Sequence, residues 1–279
     1  MTKKVFVQYE DENRSSRSLI ELYRKKIEEE NSIQMLELVH CRGGQEEFEL
    51  AVEYSHGTDP LDRETGACIL GQLGWERKTF LRESVDLLLT MLDDEDDGVI
   101  TSAATALGHR SDPRAISKLL QLVDHKNEDV RYAVVFGLST HEDFRAVKGL
   151  ITLSKDSDTD IRNWAVFGLG SQIDMDTKGI RDALFDALKD SDQEVRDEAL
   201  TGLAERGDPR VVDAILQEWE QDSISKLSLE AARIVKDPRF LDNLYSFLET
   251  MDFESEDEEN YGEYDFEVLI NEAIEACEE

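Results

Sequence analysis

VRYAVVFGLS at residues 130–139 and IRNWAVFGLG at 161–170 are the same phrase written twice, and the phrase occurs three more times. It reads VITSAATALG at 99–108, VRDEALTGLA at 195–204 and, degraded, ISKLSLEAAR at 224–233. The five starts lie 31, 31, 34 and 29 residues apart. A second landmark follows thirteen residues after four of them. It is Asp112-Pro113-Arg114, Asp143-Phe144-Arg145, Asp208-Pro209-Arg210 and Asp237-Pro238-Arg239. A fixed period near 30 with two landmarks in phase marks a repeat array rather than one globular core.

Each period reads as two helices. The phrase is the first, with Val130, Val134, Phe136 and Leu138 apolar and a small residue at its eighth position (Ala106, Gly137, Gly168, Gly202, Ala231). Glycine inside a helix costs about 1 kcal/mol against alanine, so its recurrence implies close helix approach. The second helix is amphipathic at i, i+3, i+4, i+7, as in Val85/Leu88/Leu89/Leu92, Ile180/Ala183/Leu184/Ala187, Val212/Ile215/Leu216/Trp219 and Leu241/Leu244/Tyr245/Leu248. The Asp of the landmark caps this helix and Pro suits its first position.

The expected fold is all-α: a right-handed α-α superhelix, a solenoid of six to seven helix pairs forming one unit over 1–279. Residues 15–30 form an N-terminal cap helix. Repeats fill 31–250, with 32–41 and 45–55 as one pair joined by Arg42-Gly43-Gly44. An acidic loop spans 251–265, and a last helix at 266–278 caps the array, since solenoid ends need atypical closure.

Asp and Glu number 64 against 31 Lys and Arg, a net charge of −33. Nucleic-acid binders neutralise phosphate with cations, so this charge excludes nucleic acid and anionic membrane as partners and favours a basic protein. The three cysteines are dispersed without a CxxC pair, and the N-terminus has no apolar signal stretch, which together predict a cytoplasmic protein. No segment has the length of a membrane span.

Four arginines, Arg63, Arg131, Arg162 and Arg196, recur just inside the first helices. With Asp96, Asp158 and Asp192 of the turns they are expected to form a structural ladder of ion pairs between repeats. DDEDDG at 93–98 lacks the twelfth-position Glu of a calcium loop, because Ala104 stands there. The five histidines form no HExxH and no pairing with cysteine. No metal, no cofactor and no catalytic residue is therefore expected. The outward positions of the second helices turn acidic toward the C-terminal half. There Asp182, Asp186, Asp213, Glu218 and Asp242 carry charge, Gln217 adds an amide, and Phe185 and Phe247 are aromatic where solvent is expected. Aromatics among carboxylates suit a basic protein partner. Asp182, Phe185, Asp186, Asp213, Gln217, Glu218 and Asp242 are the expected partner-binding residues.

The phrase D-x-x-V-R-x-x-A-x-x-x-L-G, carried by Asp158, Ile161, Arg162, Ala165, Leu169 and Gly170 and by Asp192, Val195, Arg196, Ala199 and Leu203, resembles the HEAT repeats of the phycobilisome-lyase type. RGGQ at 42–45, RETGACILGQLG at 63–74, DIRNWAVFGL at 160–169 and EVRDEALTGLAERGDPRV at 194–211 are similar to a group of bacterial HEAT-repeat proteins encoded beside rhs-type toxin elements. That resemblance implies an immunity protein that inhibits a toxin domain by binding it. Two other classes stay open. The repeat type's name implies a bilin lyase or isomerase, although no tetrapyrrole signature is readable, and a general interaction scaffold fits as well. A HEAT-type DNA glycosylase needs a basic face and is opposed by the charge.

Overall fold

The computed structural model describes residues 13–25, 32–220, 224–250 and 266–278. Among them are sixteen α-helices and no strand. The acidic segment 251–265 lies outside the described residues, as do 26–31 of the expected N-terminal cap helix. The chain divides into two compact units, Met1–Gly149 and Leu150–Glu279.

Unit 1 holds α1 (Ser16–Lys25), α2 (Ser32–Arg42), α3 (Gln45–Ser55), α4 (Pro60–Gln72), α5 (Leu81–Met91), α6 (Asp97–Arg110), the short α7 (Ile116–Leu119) and α8 (Glu128–Ser139). The next helix, α9 (Phe144–Leu153), runs across the unit boundary. Unit 2 holds α10 (Thr159–Phe167), α11 (Lys178–Ala187), α12 (Gln193–Glu205), α13 (Arg210–Glu220), α14 (Lys226–Val235), α15 (Leu241–Thr250) and α16 (Phe266–Glu278). First helices stack side by side, α4 on α6 on α8 in one unit and α10 on α12 on α14 in the other. This is the α-α superhelix class that the period implies, built of stacked helix pairs within each unit. The N-terminal pairing differs from expectation. In place of α2 with α3, α1 packs mainly on α2 and α3 mainly on α4. Gly66 permits the α3–α4 contact: a Cβ there would stand 2.5 Å from the Ser55 amide nitrogen.

The turns into the first helices are built by short polar side chains. Asp59, Asp96, Asn127, Asp158 and Asp192 each accept from backbone N–H groups two or three residues on, satisfying donors that a helix start leaves orphaned. This corrects the expected ladder. Asp96, Asp158 and Asp192 are spent as caps, so the arginines find other partners. Arg63 is bidentate to Asp94 at 2.7 Å, Arg162 pairs with Asp190 at 2.7 Å, and Arg196 with Glu218 at 2.8 Å. Each guanidinium also donates to the carbonyls five and six residues before it, and Arg131 does so to His125 and Lys126.

The core follows the phrase. Val130, Val134, Leu138, Ile161, Ala165, Leu169, Val195, Ala199 and Leu203 are fully or almost fully buried. Phe136, expected inside, and Trp164 are 38% and 48% exposed. They occupy turns of the helix away from the 130/134/138 and 161/165/169 faces, and each rests edge-on against a neighbour instead, His109 for Phe136 and Phe167 for Trp164. Tyr245 likewise leaves the apolar set of α15, lying 44% exposed with its hydroxyl on Glu278. The eighth-position glycine does serve close approach: a Cβ on Gly202 would lie 2.6 Å from the Gly170 Cα. Where the period stretches to 34, α10 ends in a π turn at Gly168–Gln172 that absorbs part of the excess length. The fifth phrase loses its first turn, since α14 starts only at Lys226, capped by Ser225.

Two arginines that the sequence reading passed over close the helix ends. At the twelfth position of their phrases, Arg110 and Arg206 reach back to the preceding first helix. Arg110, 1% exposed, donates to Leu70 O at 2.5 Å and Leu73 O at 3.1 Å. Arg206 donates to Leu169 O, Gly170 O and Ile173 O. Cations on the last carbonyls of a helix satisfy both hydrogen bonding and the dipole. Burial pushes Arg110 down to about 10 and lowers Arg206 as well.

Candidate partner-binding surface

The landmark is a hook. In all four copies the Asp accepts from the backbone N–H of the Arg, and the guanidinium folds back onto the same carboxylate. The free end of each guanidinium then reaches the second helix one repeat earlier. Arg114 meets Asp86, Arg145 meets Ser117 Oγ at 3.4 Å, Arg210 meets Asp182 at 3.4 Å and Arg239 meets Asp213 at 3.1 Å. Each hook Asp is held below the usual carboxylate range by its Arg, Asp143 down to about 2.

This ladder runs through the expected binding residues. Asp182 is bonded to Lys178 and Arg210, Asp186 to Lys189 at 3.3 Å and Lys155 at 3.8 Å, and Asp213 to Arg239. Glu218 is half-buried on Arg196. These carboxylates already hold cations of their own chain, so the face is far less negative than its sequence suggests. The signal was present: Asp86 and Asp182 stand 28 residues before Arg114 and Arg210, and Asp213 stands 26 before Arg239. Only the distance along the chain hid it.

A groove of about 550 Å³ opens between α11 and α13 in unit 2. Phe185, Asp213, Gln217 and Glu218 line it, together with Lys189, Arg196 and Arg210. It gathers four of the seven expected residues, while Asp182, Asp186 and Asp242 are not part of its lining. Asp242 is exposed near the start of α15. The Arg210 guanidinium stacks 4.4 Å from the Phe185 ring centroid, with the Lys189 ammonium at 5.3 Å. Phe247 is not a groove residue. It packs edge-on against buried Trp219 at 5.4 Å, and the Trp219 indole N–H donates to Ser228.

Among the described residues no cluster of three or more His, Cys, Asp or Glu side chains is arranged to hold a metal ion. Around DDEDDG, Asp94 takes Arg63, Asp93 takes Lys118 and Asp96 caps α6. No helix of the described residues is long and apolar enough to cross a membrane. Cys41, Cys68 and Cys277 are free.

Stacked helix pairs joined by a repeated Asp–Arg hook define a repeat scaffold, and comparison with known proteins identifies its type. The chain belongs to the HEAT-repeat family, whose model matches residues 50–139 and 147–236. It is similar over 100% of its length to 99% of YibA of Escherichia coli, known from an X-ray structure, at 27% identity and a TM-score of 0.72. An engineered protein shares the fold over 95% of this chain and 74% of its own, at 15% identity and a TM-score of 0.56. The complex of CpcE and CpcF of phycocyanin lyase from Nostoc aligns over 99% of this chain and 100% of its own, but at 15% identity and a TM-score of 0.47 it carries no functional argument. No curated protein matches the chain in sequence. A HEAT-repeat scaffold presents long rows of helix faces suited to holding another protein.

Proposed function

We propose that this HEAT-repeat protein is a binding module, not an enzyme, that captures a basic protein partner in the cytoplasm. The partner in this reading is a toxin domain that the chain inhibits as an immunity protein. The observation that carries the reading is the groove between α11 and α13, where an aromatic wall, Phe185, stands beside the carboxylates of Asp213 and Glu218. The net charge of −33 supports the sign of the partner, and the resemblance to proteins encoded beside rhs elements supports its kind. Because the carboxylates are internally paired, a basic partner binds by exchanging ion pairs: its cations displace the free ends of Arg210 and Arg239. Binding then gains little net charge interaction and depends on the aromatic anchor.

The test is surface plasmon resonance against the basic product of the neighbouring open reading frame. Phe185→Ala is expected to raise the dissociation rate, with a loss near 2 kcal/mol for a hot spot. Arg210→Gln, which leaves Asp182 with Lys178 alone, is expected to speed association at low salt. Absence of wild-type binding removes the immunity reading, and unchanged rates in both variants move the interface off the groove.

A further inference from the structure

The first-helix side of unit 2 carries a feature that the groove does not use. Where α10 meets α12, facing residues fall into rungs. Asn163 Nδ2 donates to Glu194 at 3.4 Å, and Gly170 lies against Gly202. One turn beyond Asn163 is Phe167, and one turn beyond Glu194 is Glu198, whose backbone carbonyl comes within 3.4 Å of where a Gly170 Cβ would stand. Phe167 and Glu198 are therefore the middle rung of this seam. Trp164, 48% exposed, meets Phe167 edge-on with centroids 5.5 Å apart.

Three facts coincide at Glu198. First, neither a hydrogen bond nor an ion pair of the described residues engages it, whereas Asp182, Asp186, Asp190, Asp208, Asp213 and Glu218 all hold a guanidinium or ammonium. Second, it is half-buried, and burial together with Asp197, Glu194 and Glu205 pushes it up to about 7. Third, the facing helix brings it no cation. The charged residues of α10 are Asp160 and Arg162, and Arg162 is bound to Asp190. Under the same seam Asn163 Oδ1 is buried with no donor. The seam thus has more acceptors than donors, next to two aromatic rings.

We propose that Trp164, Phe167 and Glu198 form a docking point for a lysine or arginine side chain of a basic protein partner. The aliphatic stem lies on the rings and the cation sits at the Glu198 carboxylate. Rings and a partly desolvated carboxylate favour a cation more than either does alone. The inference rests on the reading of the chain as a binder of basic proteins, but it places a contact on the first helices rather than in the groove. Binding and deprotonation of Glu198 are linked: a bound cation favours the carboxylate, so docking at pH 6 expels a proton and docking at pH 8 does not.

The probe is tetralysine, titrated into the full-length protein while the indole N–H resonances are followed by NMR. Trp164 reports the site, and Trp75 and Trp219 serve as internal references. The Trp164 resonance is expected to shift, with affinity rising about tenfold between pH 6 and pH 8 as Glu198 goes from about a tenth to about nine tenths ionised. Glu198→Gln is expected to weaken the Trp164-reported affinity at pH 8 at least fivefold and to flatten its pH dependence, while Glu220→Gln, an equal loss of charge at the exposed last residue of α13, changes it less than twofold. Trp164→Phe, which keeps a ring, should retain most of the binding measured calorimetrically, and Trp164→Ala should not. Equal weakening by Glu198→Gln and Glu220→Gln would reduce the effect to bulk charge and overturn the proposal. Binding that perturbs no Trp164 signal but is lost in Phe185→Ala overturns it and leaves the groove reading standing. Failure of tetralysine to bind at all overturns both.

Discussion

Both units are assembled from the same phrase, hook and cap, yet they differ in which histidines and acids burial perturbs most. Unit 1 contains all five histidines, and unit 2 has none. In unit 1 burial drives His40 down to about 4 and lowers His109 and His141. In unit 2 burial instead raises two neighbouring acids of α12, Asp197 to about 6 and Glu198 to about 7. A repeat therefore fixes the backbone and the apolar positions but leaves the ionisation of each layer to whichever polar residue fills a partly buried place.

The largest expected difference comes from the buried cation that only unit 1 encloses completely. Arg110→Ala removes the donor from Leu70 and Leu73 and leaves a cavity, at a cost of about 3–5 kcal/mol. Local hydrogen exchange should rise across α4 and α6. Arg206→Ala, on a half-buried side chain, should cost less, and an equal loss would erase the distinction between the two clamps. Leu169→Ala in unit 2 is expected to cost about 2–5 kcal/mol in urea melts as a core truncation. A loss under half a kcal/mol, on the order of a surface change, would mean the phrase is out of phase.

Acidification should separate the units next. A histidine held neutral in the fold but free to protonate when unfolded loses stability as pH falls below about 6.5, at about 1.4 kcal/mol per unit until about pH 4. His40 alone then costs unit 1 about 2 kcal/mol by pH 5, partly offset by Glu64, which burial raises. Asp197 and Glu198 act in the other sense. The folded state binds protons near pH 7 and 6 that the unfolded chain takes only near pH 4, so unit 2 gains stability as pH falls from 8 to 5. The gain is on the order of 1–2 kcal/mol, discounted for residual solvent access. The carboxylates held low by arginines, present in both units, weaken the fold only below about pH 4. Exchange rates corrected for pH should rise in α2, α4 and α6 and fall in α12. A common direction in both units would break the comparison.

A further comparison concerns glycine, where the smallest effect falls at Gly207. Gly202→Ala drives a Cβ to 2.6 Å from backbone, and Gly71→Ala drives one to 2.8 Å from the Ala106 side chain. Both should destabilise by about 1–3 kcal/mol. Gly207→Ala has open space and a φ of +59°, and should cost about 1 kcal/mol from backbone strain alone.

The architecture was readable because a period of about 31 with apolar positions in fixed phase leaves few ways to bury them. The close approach at Gly202 and the capping aspartates belong to that local code. What escaped reading was which polar partner each side chain takes a full repeat away. The hook arginines neutralise Asp182 and Asp213, Arg63 and Arg162 choose Asp94 and Asp190 over the capping aspartates, and Arg110 seeks carbonyls, which carry no residue identity. Phe136 was misplaced because a first helix has two flanks and an outer edge, and apolar content alone does not say which residue takes the edge. The strained turn after α4 gave no sign either: Trp75, Lys78 and Phe80 all adopt positive φ there, held by bonds from Arg77 to Cys41 O and from Thr79 to Gly43 O.

The hook has one property that bears on synthesis. Every Asp–Arg hook closes onto a helix made earlier in the chain, never onto one still to come. A growing polypeptide can therefore latch each new pair to its finished predecessor in the order of translation, like a zip drawn from the N-terminus. Truncation from the C-terminal end removes latches without stranding their acceptors on unmade helices, whereas deletion from the N-terminal end leaves an arginine reaching for a helix that is gone.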